Sequence, residues 1–394
     1  MNDNGTATAT TITTTIATTI ATTTTTANEP LTYKNAGADT GKVEIALKRI
    51  IELVKTTFEF RDGVGKPVLP IGHFSGVIDI GGGRSLAVKT DGVGTKVFIA
   101  QLMERYDTVG IDCVAMNVND ILCVGAEPIS MVDYIAVQEP NPDILEGIVA
   151  GLVEGCRRAD VTLSGGEIAI MPEMIRGMGN RESEEDKRGF DLVGMGVGTV
   201  ASDKIITGDK IEDGDAILGL ASSGIHSNGM TLARRALLDT TGFDVDKRVD
   251  GLDRSLGEEL LEPTKIYVRE VQEMLNLGLN LKSLAHITGD GFLNLRRVSK
   301  NHGFRIDRLP DVPPVFELIQ KYGHVSAEEM YQVYNMGIGF CIVLPENEVD
   351  YAISTAGKHG TDCYVIGHTF RDADRTVILE EQRLKSEDGR FVRY

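Results

Sequence analysis

From Lys89 the chain reads Lys-Thr-Asp-Gly-Val-Gly-Thr-Lys, and from Gly110 it reads Gly-Ile-Asp-Cys-Val-Ala-Met-Asn-Val-Asn-Asp-Ile-Leu-Cys-Val-Gly-Ala-Glu-Pro. This stretch organises the chain. The first half predicts a short strand, residues 84–90, that turns through glycines into a helix over residues 97–106. Asp91 caps the turn, and Gly92 and Gly94 supply its backbone freedom. The turn is not a P-loop. A Walker A loop needs four residues between its glycines and a glycine directly before the lysine, whereas Gly-Val-Gly-Thr precedes Lys96 here. A phosphate met by this loop is held by another geometry.

The second half predicts a helix over residues 111–124. At about 100° per residue, Ile111, Val114, Val118, Ile121 and Leu122 share the side a core would take. Asp112 and Asn119 fall nearly in line on the opposite side, with Asp120 beside them and Asn117 further round. That face holds acids and amides and no basic residue, unlike a solvated helix face that mixes both signs in i,i+4 pairs. Acids and amides alone suit a hard cation such as Mg²⁺ and, through it, a nucleotide phosphate. A plain polar surface with an Asp91 cap is the competing reading.

A chain of 394 residues suggests two domains with ample core, and 44 glycines with no tryptophan fit many tight turns. A formal charge of −18 argues against nucleic acid or an anionic membrane as a partner. A small anionic substrate held by a local site and a metal remains compatible. No apolar run approaches membrane-spanning length. Residues 4–27, mostly threonine, lack the basic start and leucine-rich core of a signal peptide and read as a disordered tail. Cys113, Cys123, Cys156, Cys341 and Cys363 form no Cys-x-x-Cys pair and sit in apolar runs, as reduced thiols of a cytoplasmic protein would.

In chain order, Lys34 lies in an extended arm before a helix over residues 42–58, and spacing alone makes it a surface lysine. Gly72-His73-Phe74-Ser75-Gly76 is glycine-rich, and Gly81-Gly82-Gly83 predicts a hairpin. A strand over 130–137 and an amphipathic helix over 143–158 follow. Val161–Glu167 repeats the grammar of strand, glycines and carboxylate, so Glu167 is either a second metal or ribose ligand or a loop cap. Residues 176–188 read as a mobile charged loop, and 191–200 as a glycine-punctuated strand. The domain boundary is placed in the polar stretch 201–214, dividing the chain into 1–30, 31–204 and 205–394.

The second half opens with a strand over 216–221 and Ser222-Ser223-Gly224-Ile225-His226-Ser227-Asn228-Gly229 ahead of a helix from Met230. Such a loop offers N–H groups, hydroxyls and a positive dipole end to an anion; an ordinary capped loop is the alternative. His226 is a candidate base or phosphate donor, and equally a structural histidine. Pro263 is expected to start a helix carrying Lys265 and Tyr267. His286-Ile287-Thr288-Gly289 is a second strand-to-glycine turn, leading into residues 292–298. Strands over 338–344 and 363–368 flank a helix over 348–358. The class is α/β, an α+β sandwich.

Taken together these pieces resemble the phosphoribosylformylglycinamidine cyclo-ligase family, the aminoimidazole ribonucleotide synthetases. The matching segments are Tyr33-Lys34-x-Ala-Gly, Thr90–Lys96, Gly110-Ile-Asp through Val118-Asn-Asp120, Gly125-Ala-Glu-Pro128 and Gly165-Gly-Glu167 with Met171-Pro172. They continue with Ser222–Gly229, Glu262-Pro-Thr-Lys-Ile-Tyr267, Ala285-His-x-Thr-Gly289 and Asn335-x-Gly-x-Gly339. Their common order, from Leu31 to the C-terminus, makes the resemblance specific.

The resemblance implies a two-domain ATP-binding synthetase fold whose N-terminal sheets form a barrel across a homodimer interface. It implies ATP-driven closure of the imidazole ring of formylglycinamidine ribonucleotide, with the formyl oxygen phosphorylated before the amine displaces phosphate. Phosphoryl transfer needs metal-neutralised phosphates and in-line positioning more than a special nucleophile. Asp91, Asp112 and Asp120 are accordingly assigned to Mg²⁺, and Asp91, Gly92, Gly94, Thr95, Lys96, Asp112, Asn119 and Glu167 to ATP. Lys34 is assigned to the transferred phosphate, Ser222, Ser223, Gly224, Ser227, Asn228, Thr288 and Gly289 to the substrate, and His226 and His286 to proton transfer.

Three positions depart from the family pattern: Ile168 and Ile170 replace a threonine and a glutamate, and Asp290 replaces a glycine. They motivate an alternative, a nucleotide-binding regulator without catalysis, against which the intact Asp91, Asp112, Asn119 and Asp120 argue. The sister families fit less well. No cysteine precedes Cys113, as a selenophosphate synthetase would need, and the chain ends Arg393-Tyr394 where the hydrogenase-maturation relative carries a cysteine. Thiamine-monophosphate kinase and the amidotransferase of the preceding purine step lack the Ser222–Gly229 signature.

Overall fold

A computed structural model of the protein describes residues 30–37, 40–177 and 187–394. The threonine-rich tail and most of the charged loop 176–188 lie outside the described residues.

The N-terminal half builds one five-stranded sheet in the order β1-β2-β5-β3-β4, from β1 (Gly76–Gly81), β2 (Arg84–Gly92), β3 (Glu127–Val137), β4 (Thr162–Ile170) and β5 (Phe190–Ala201). Only β3 and β4 run parallel. Its helices are α1 (Thr40–Lys55), α2 (Val97–Met103), α3 (Asp107–Leu122) and α4 (Pro142–Ala159). The start of α4 is written in its residues: the Asn141 side chain accepts from the backbone N–H groups of Asp143 and Ile144, and Pro142 occupies the first turn.

Burial along β5 alternates residue by residue, so one face of the sheet is covered and the other open. The covered face is closed by α3 at short range, because β5 presents glycines to it. A Cβ on Gly194 would stand 2.9 Å from Asn117 Nδ2 and from Cys113 Sγ, and one on Gly196 would stand 2.9 Å from Ile121 Cδ1. Helices α3 and α4 meet with equal intimacy. A Cβ on Gly110 would overlap the Gly151–Leu152 backbone, and one on Gly151 would overlap the Asp107 carbonyl. Gly110→Val is expected to lower stability by about 1–3 kcal/mol through overpacking, read as a lowered urea midpoint with unchanged slope.

The C-terminal half is an eight-stranded sheet in the order β13-β12-β11-β8-β10-β6-β9-β7. Its strands are β6 (Ala216–Ala221), β7 (Ser283–His286), β8 (His302–Ile306), β9 (Ile338–Leu344), β10 (Cys363–Arg371), β11 (Val377–Leu379), β12 (Leu384–Glu387) and β13 (Arg390–Arg393). β9, which lies between β6 and the edge strand β7, is buried along its whole length, and helices Pro314–Gly323 and Ala327–Val333 pack against this half. One continuous apolar core joins residues of both halves, among them Leu122, Met131, Leu218 and Leu284.

Three local expectations are corrected. Strand β4 runs through Gly165-Gly166-Glu167 rather than ending there. Residues 262–267 are not helical, and the helix begins at Val268. The sheet does not finish at His368 but continues through the hairpins of β11 to β13.

Candidate active site

Helix α3 is buried from Thr108 to Leu122, so its polar face is neither a solvated surface nor an open cleft wall. It faces the C-terminal half. Asp112 Oδ1 accepts from Thr264 N at 2.7 Å, Thr264 Oγ1 at 2.6 Å and Ser227 Oγ at 3.2 Å. Lys96 Nζ lies 2.9 Å from Asp112 Oδ2 and also donates to the Glu262 carbonyl at 2.6 Å. Two turns further on, Asn119 accepts from Tyr267 N at 3.0 Å and donates to the Lys265 carbonyl at 2.8 Å. These contacts keep the strap 262–267 non-helical. Its buried backbone groups must be paired, and the side chains of α3 pair them in place of helical bonds.

Asp112 and Lys96 are both 0% exposed; Oδ1 of Asp112 takes the hydrogen bonds from the strap and the loop, while Oδ2 lies against the Lys96 ammonium. In this arrangement they brace the two halves together. Thr95 joins the same seam, its Oγ1 lying 2.9 Å from Thr231 Oγ1. Ser227 is likewise committed, to Asp112 and Thr264.

Asp120 differs. Its Oδ1 lies 2.8 Å from His286 Nδ1, and its Oδ2 lies 2.7 Å from Lys89 Nζ. Lys89 reaches Asp91 Oδ2 at 3.3 Å as well, so one ammonium stands between two carboxylates. Burial would push the Asp120 carboxyl up, but the His286 hydrogen bond and the charges of His286 and Lys89 hold it below the usual range. Burial opposes the charge of Lys89, yet Asp120 and Asp91 raise its pKa above the ordinary lysine value. Asp91 is half-buried and accepts from Gly92 N at 2.8 Å; Gly94 turns the chain with φ +69°. The sequence reading passed over Lys89, although its place two residues before Asp91 puts both on one face of β2.

Both candidate histidines are buried. His286 spends Nδ1 on Asp120, and its Nε2 lies 3.4 Å from Asn119 Nδ2. His226 sits at φ 67°, a left-handed conformation uncommon outside glycine, and its Nε2 accepts from Ser223 N at 3.3 Å. Burial first, then the charges of His286, Lys96 and Lys265, push the His226 pKa well down. Neither ring is exposed, and His226 Nδ1 is shielded from solvent without a partner.

Glu167 is separated from Asp91 by register. Asp91, Gly194, Asp133 and Gly166 form one row across the sheet, while Gly92, Val193, Tyr134 and Glu167 form the next. Adjacent rows point to opposite faces, so Glu167 lies on the open face and Asp91 on the α3 face. The glycine loop after β6 is pinned by Asn335 Nδ2, which donates to the Gly224 and Ile225 carbonyls. Ser223 Oγ donates to the Pro263 carbonyl at 2.6 Å. Ser222 Oγ and Asn228 Oδ1, by contrast, are shielded from solvent without a partner. Asn228 meets the second turn: a Cβ on Gly289, next to Thr288, would stand 3.3 Å from Asn228 Nδ2.

The arm carrying Lys34 docks on the C-terminal half. Leu31 N donates to the Gly323 carbonyl at 2.9 Å, Tyr33 N to Glu329 at 2.5 Å, and Arg235 to the Asn35 carbonyl at 3.0 Å. Lys34 itself is exposed. Burial, then the nearby charge of Asp290, raise the Tyr33 hydroxyl above its usual pKa, so the arm approaches the turn after Gly289.

A cavity of about 1140 Å³ opens between the halves, walled by His73, Asp290, Arg296, Arg297, Lys300 and Arg375 among others. Lys300 is paired with Asp209. These walls were unassigned in the sequence, because the Gly72–Gly76 segment and the turn Gly291–Val298 meet only in the fold.

The AIR synthase related protein N-terminal domain family matches residues 72–200, and its C-terminal domain family matches residues 212–380. A phosphoribosylformylglycinamidine cyclo-ligase of Methanobrevibacter smithii is 43% identical over 88% of this chain and 97% of its own length. One from Thermococcus kodakarensis is 47% identical over 84% of this chain and 92% of its own. In fold the chain is similar to the hydrogenase maturation protein HypE solved in complex with ATP, at a TM-score of 0.53 and 19% identity, covering 77% of this chain and 83% of that one. The chain belongs to the phosphoribosylformylglycinamidine cyclo-ligase family, ligases that carry out the ATP-dependent ring closure of purine biosynthesis.

Proposed function

We propose that the reacting phosphates lie at Lys89, Asp91 and Asp120, beside the Gly92–Gly94 turn, and that the ribonucleotide occupies the interdomain cavity. The observation that carries this is the single ammonium of Lys89 held between two carboxylates. A pair of carboxylates that already shares a cation fits Mg²⁺, which takes one or two carboxylates and completes its shell with phosphates and water. Bound there, Mg²⁺ would neutralise ATP phosphate charge. Asp91 and Asp120 would hold it, Lys89 would turn its ammonium to phosphate, and His286 would keep Asp120 oriented.

Ser222, Asn228, Thr288 and Gly289 are assigned to the substrate ribose and phosphate, on the strength of the unpartnered Ser222 and Asn228 oxygens. Lys34, on an arm that reaches the same turn, is assigned to the transferred phosphate. The domain division at 204/205 and a cytoplasmic location are part of this reading; the five cysteines are unpaired. Among the described residues no helix is long and apolar enough to cross a membrane.

The open face of the N-terminal sheet supports a homodimer whose two sheets close into a barrel. It carries Val132, Tyr134 and Met195 at 38%, 39% and 41% exposure, an apolar surface that a second copy would cover. Val132→Glu with Met195→Glu is expected to give a monomer by light scattering at concentrations where the wild type is dimeric.

The function is tested by ADP release with Mg²⁺-ATP, with and without formylglycinamidine ribonucleotide. Substrate-dependent ADP matched by aminoimidazole ribonucleotide is expected. ATP binding without turnover would instead favour the regulatory reading.

A further inference from the structure

His73 belongs to the Gly72–Gly76 segment leading into β1. Both ring nitrogens are shielded from solvent, and neither has a hydrogen-bond partner in the protein. Leaving two such groups unpaired is costly, and native proteins keep such groups where a ligand completes them. The ring lines the interdomain cavity together with Asp290, Arg296 and Arg297.

Its position is fixed from the other half of the molecule. Arg297 donates from Nε to the Gly72 carbonyl at 3.2 Å and from Nη2 to the His73 carbonyl at 3.0 Å. The same guanidinium lies 4.2 Å above the Phe74 ring, a stacked cation contact. These contacts hold the backbone that carries the imidazole against the cavity wall, which gives a binding residue a fixed base.

The ring suits a partner that offers both an acceptor and a donor. Burial, reinforced by Arg297 and opposed by Asp120, lowers its pKa to about 4, so at neutral pH it carries one donor and one acceptor. A phosphate would call for a charged donor, and the Arg297 guanidinium beside it is already turned to backbone carbonyls. The formamide and amidine of the ribonucleotide supply the complementary acceptor and donors.

We propose that His73 is a substrate-binding residue whose two ring nitrogens pair with the formamide and amidine groups of formylglycinamidine ribonucleotide in the interdomain cavity. The proposal rests on the ring-closing reading of this site. It adds a specificity contact from a segment to which no role had been assigned.

The test titrates formylglycinamidine ribonucleotide into the full-length wild type, His73→Leu and His73→Gln by calorimetry, with KM for both substrates measured alongside. His73→Leu is expected to weaken ribonucleotide binding by about tenfold or more, the loss from one to two hydrogen bonds. His73→Gln, which keeps a donor and an acceptor, should recover to within about threefold. The KM for ATP should stay unchanged in both. Thermal unfolding supplies a second readout: removing unpaired buried nitrogens should leave the midpoint of His73→Leu at or above wild type, whereas a merely structural histidine would lower it. Equal binding by His73→Leu and wild type overturns the proposal, as does a parallel rise in both KM values. A wild type that binds no ribonucleotide would instead defeat the ring-closing reading of the cavity, and the His73 contact with it.

Discussion

Asp112→Asn should lower the stability of this protein by about 3–5 kcal/mol, the range for removing one partner of a buried ion pair. The substitution is nearly isosteric, so the loss would come from charge. Lys96 is fully buried, and its ammonium would keep only the Glu262 carbonyl as a strong partner. The Thr264 hydroxyl and N–H and the Ser227 hydroxyl would exchange a carboxylate for an amide oxygen. Because these groups come from the strap 262–267 and the loop after β6, the two halves should loosen together. Chemical denaturation is the check, with the double variant Asp112→Leu, Lys96→Met as partner. Replacing both charges removes the unpaired ion, so the double variant should be less destabilised than Asp112→Asn.

The second large effect is catalytic. Asp91→Asn and Lys89→Met should each reduce kcat/KM by about 10²–10³-fold, some 3–4 kcal/mol of transition-state stabilisation. Asp91 is half-buried and its ionic contact is the 3.3 Å approach of Lys89, so its replacement should cost little stability. Substrate-dependent ADP release, normalised to folded protein, is the check. If Lys89 only neutralised neighbouring acids, Lys89→Met would bind ATP normally and turn over near the wild-type rate.

The sequence was informative where one local rule acts alone. The glycine-punctuated strand β5, the amphipathic helix α4 and the glycine hairpin before β2 all appear where patterning puts them. It misled where a tertiary partner overrides local preference. The polar face of α3 carries no basic residue, and nothing in its own spacing shows that Asp112 and Asp120 are already paired with lysines. Its cations come from elsewhere, Lys96 from the turn before α2 and Lys89 from β2. The 262–267 segment looks like a helix start because Pro263 is well placed for one, yet its backbone is claimed by Asp112 and Asn119 across about 150 residues of chain. Gly165-Gly166-Glu167 reads as a turn by composition, and sheet pairing with β3 keeps it extended. His73 and the arginines of the cavity were invisible as a group, since no spacing rule links positions more than 200 residues apart.

The central claim is that the acidic row of α3 and its neighbours divides into two jobs, Asp112 holding the halves together and Asp91 with Asp120 serving the phosphates. ADP release per folded molecule by Asp112→Asn and Asp91→Asn, side by side at a temperature where both are folded, tests this most directly. The account predicts that Asp112→Asn keeps turnover within about fivefold of wild type while Asp91→Asn loses about 100-fold or more. A folded Asp112→Asn without activity, beside an active Asp91→Asn, would contradict it.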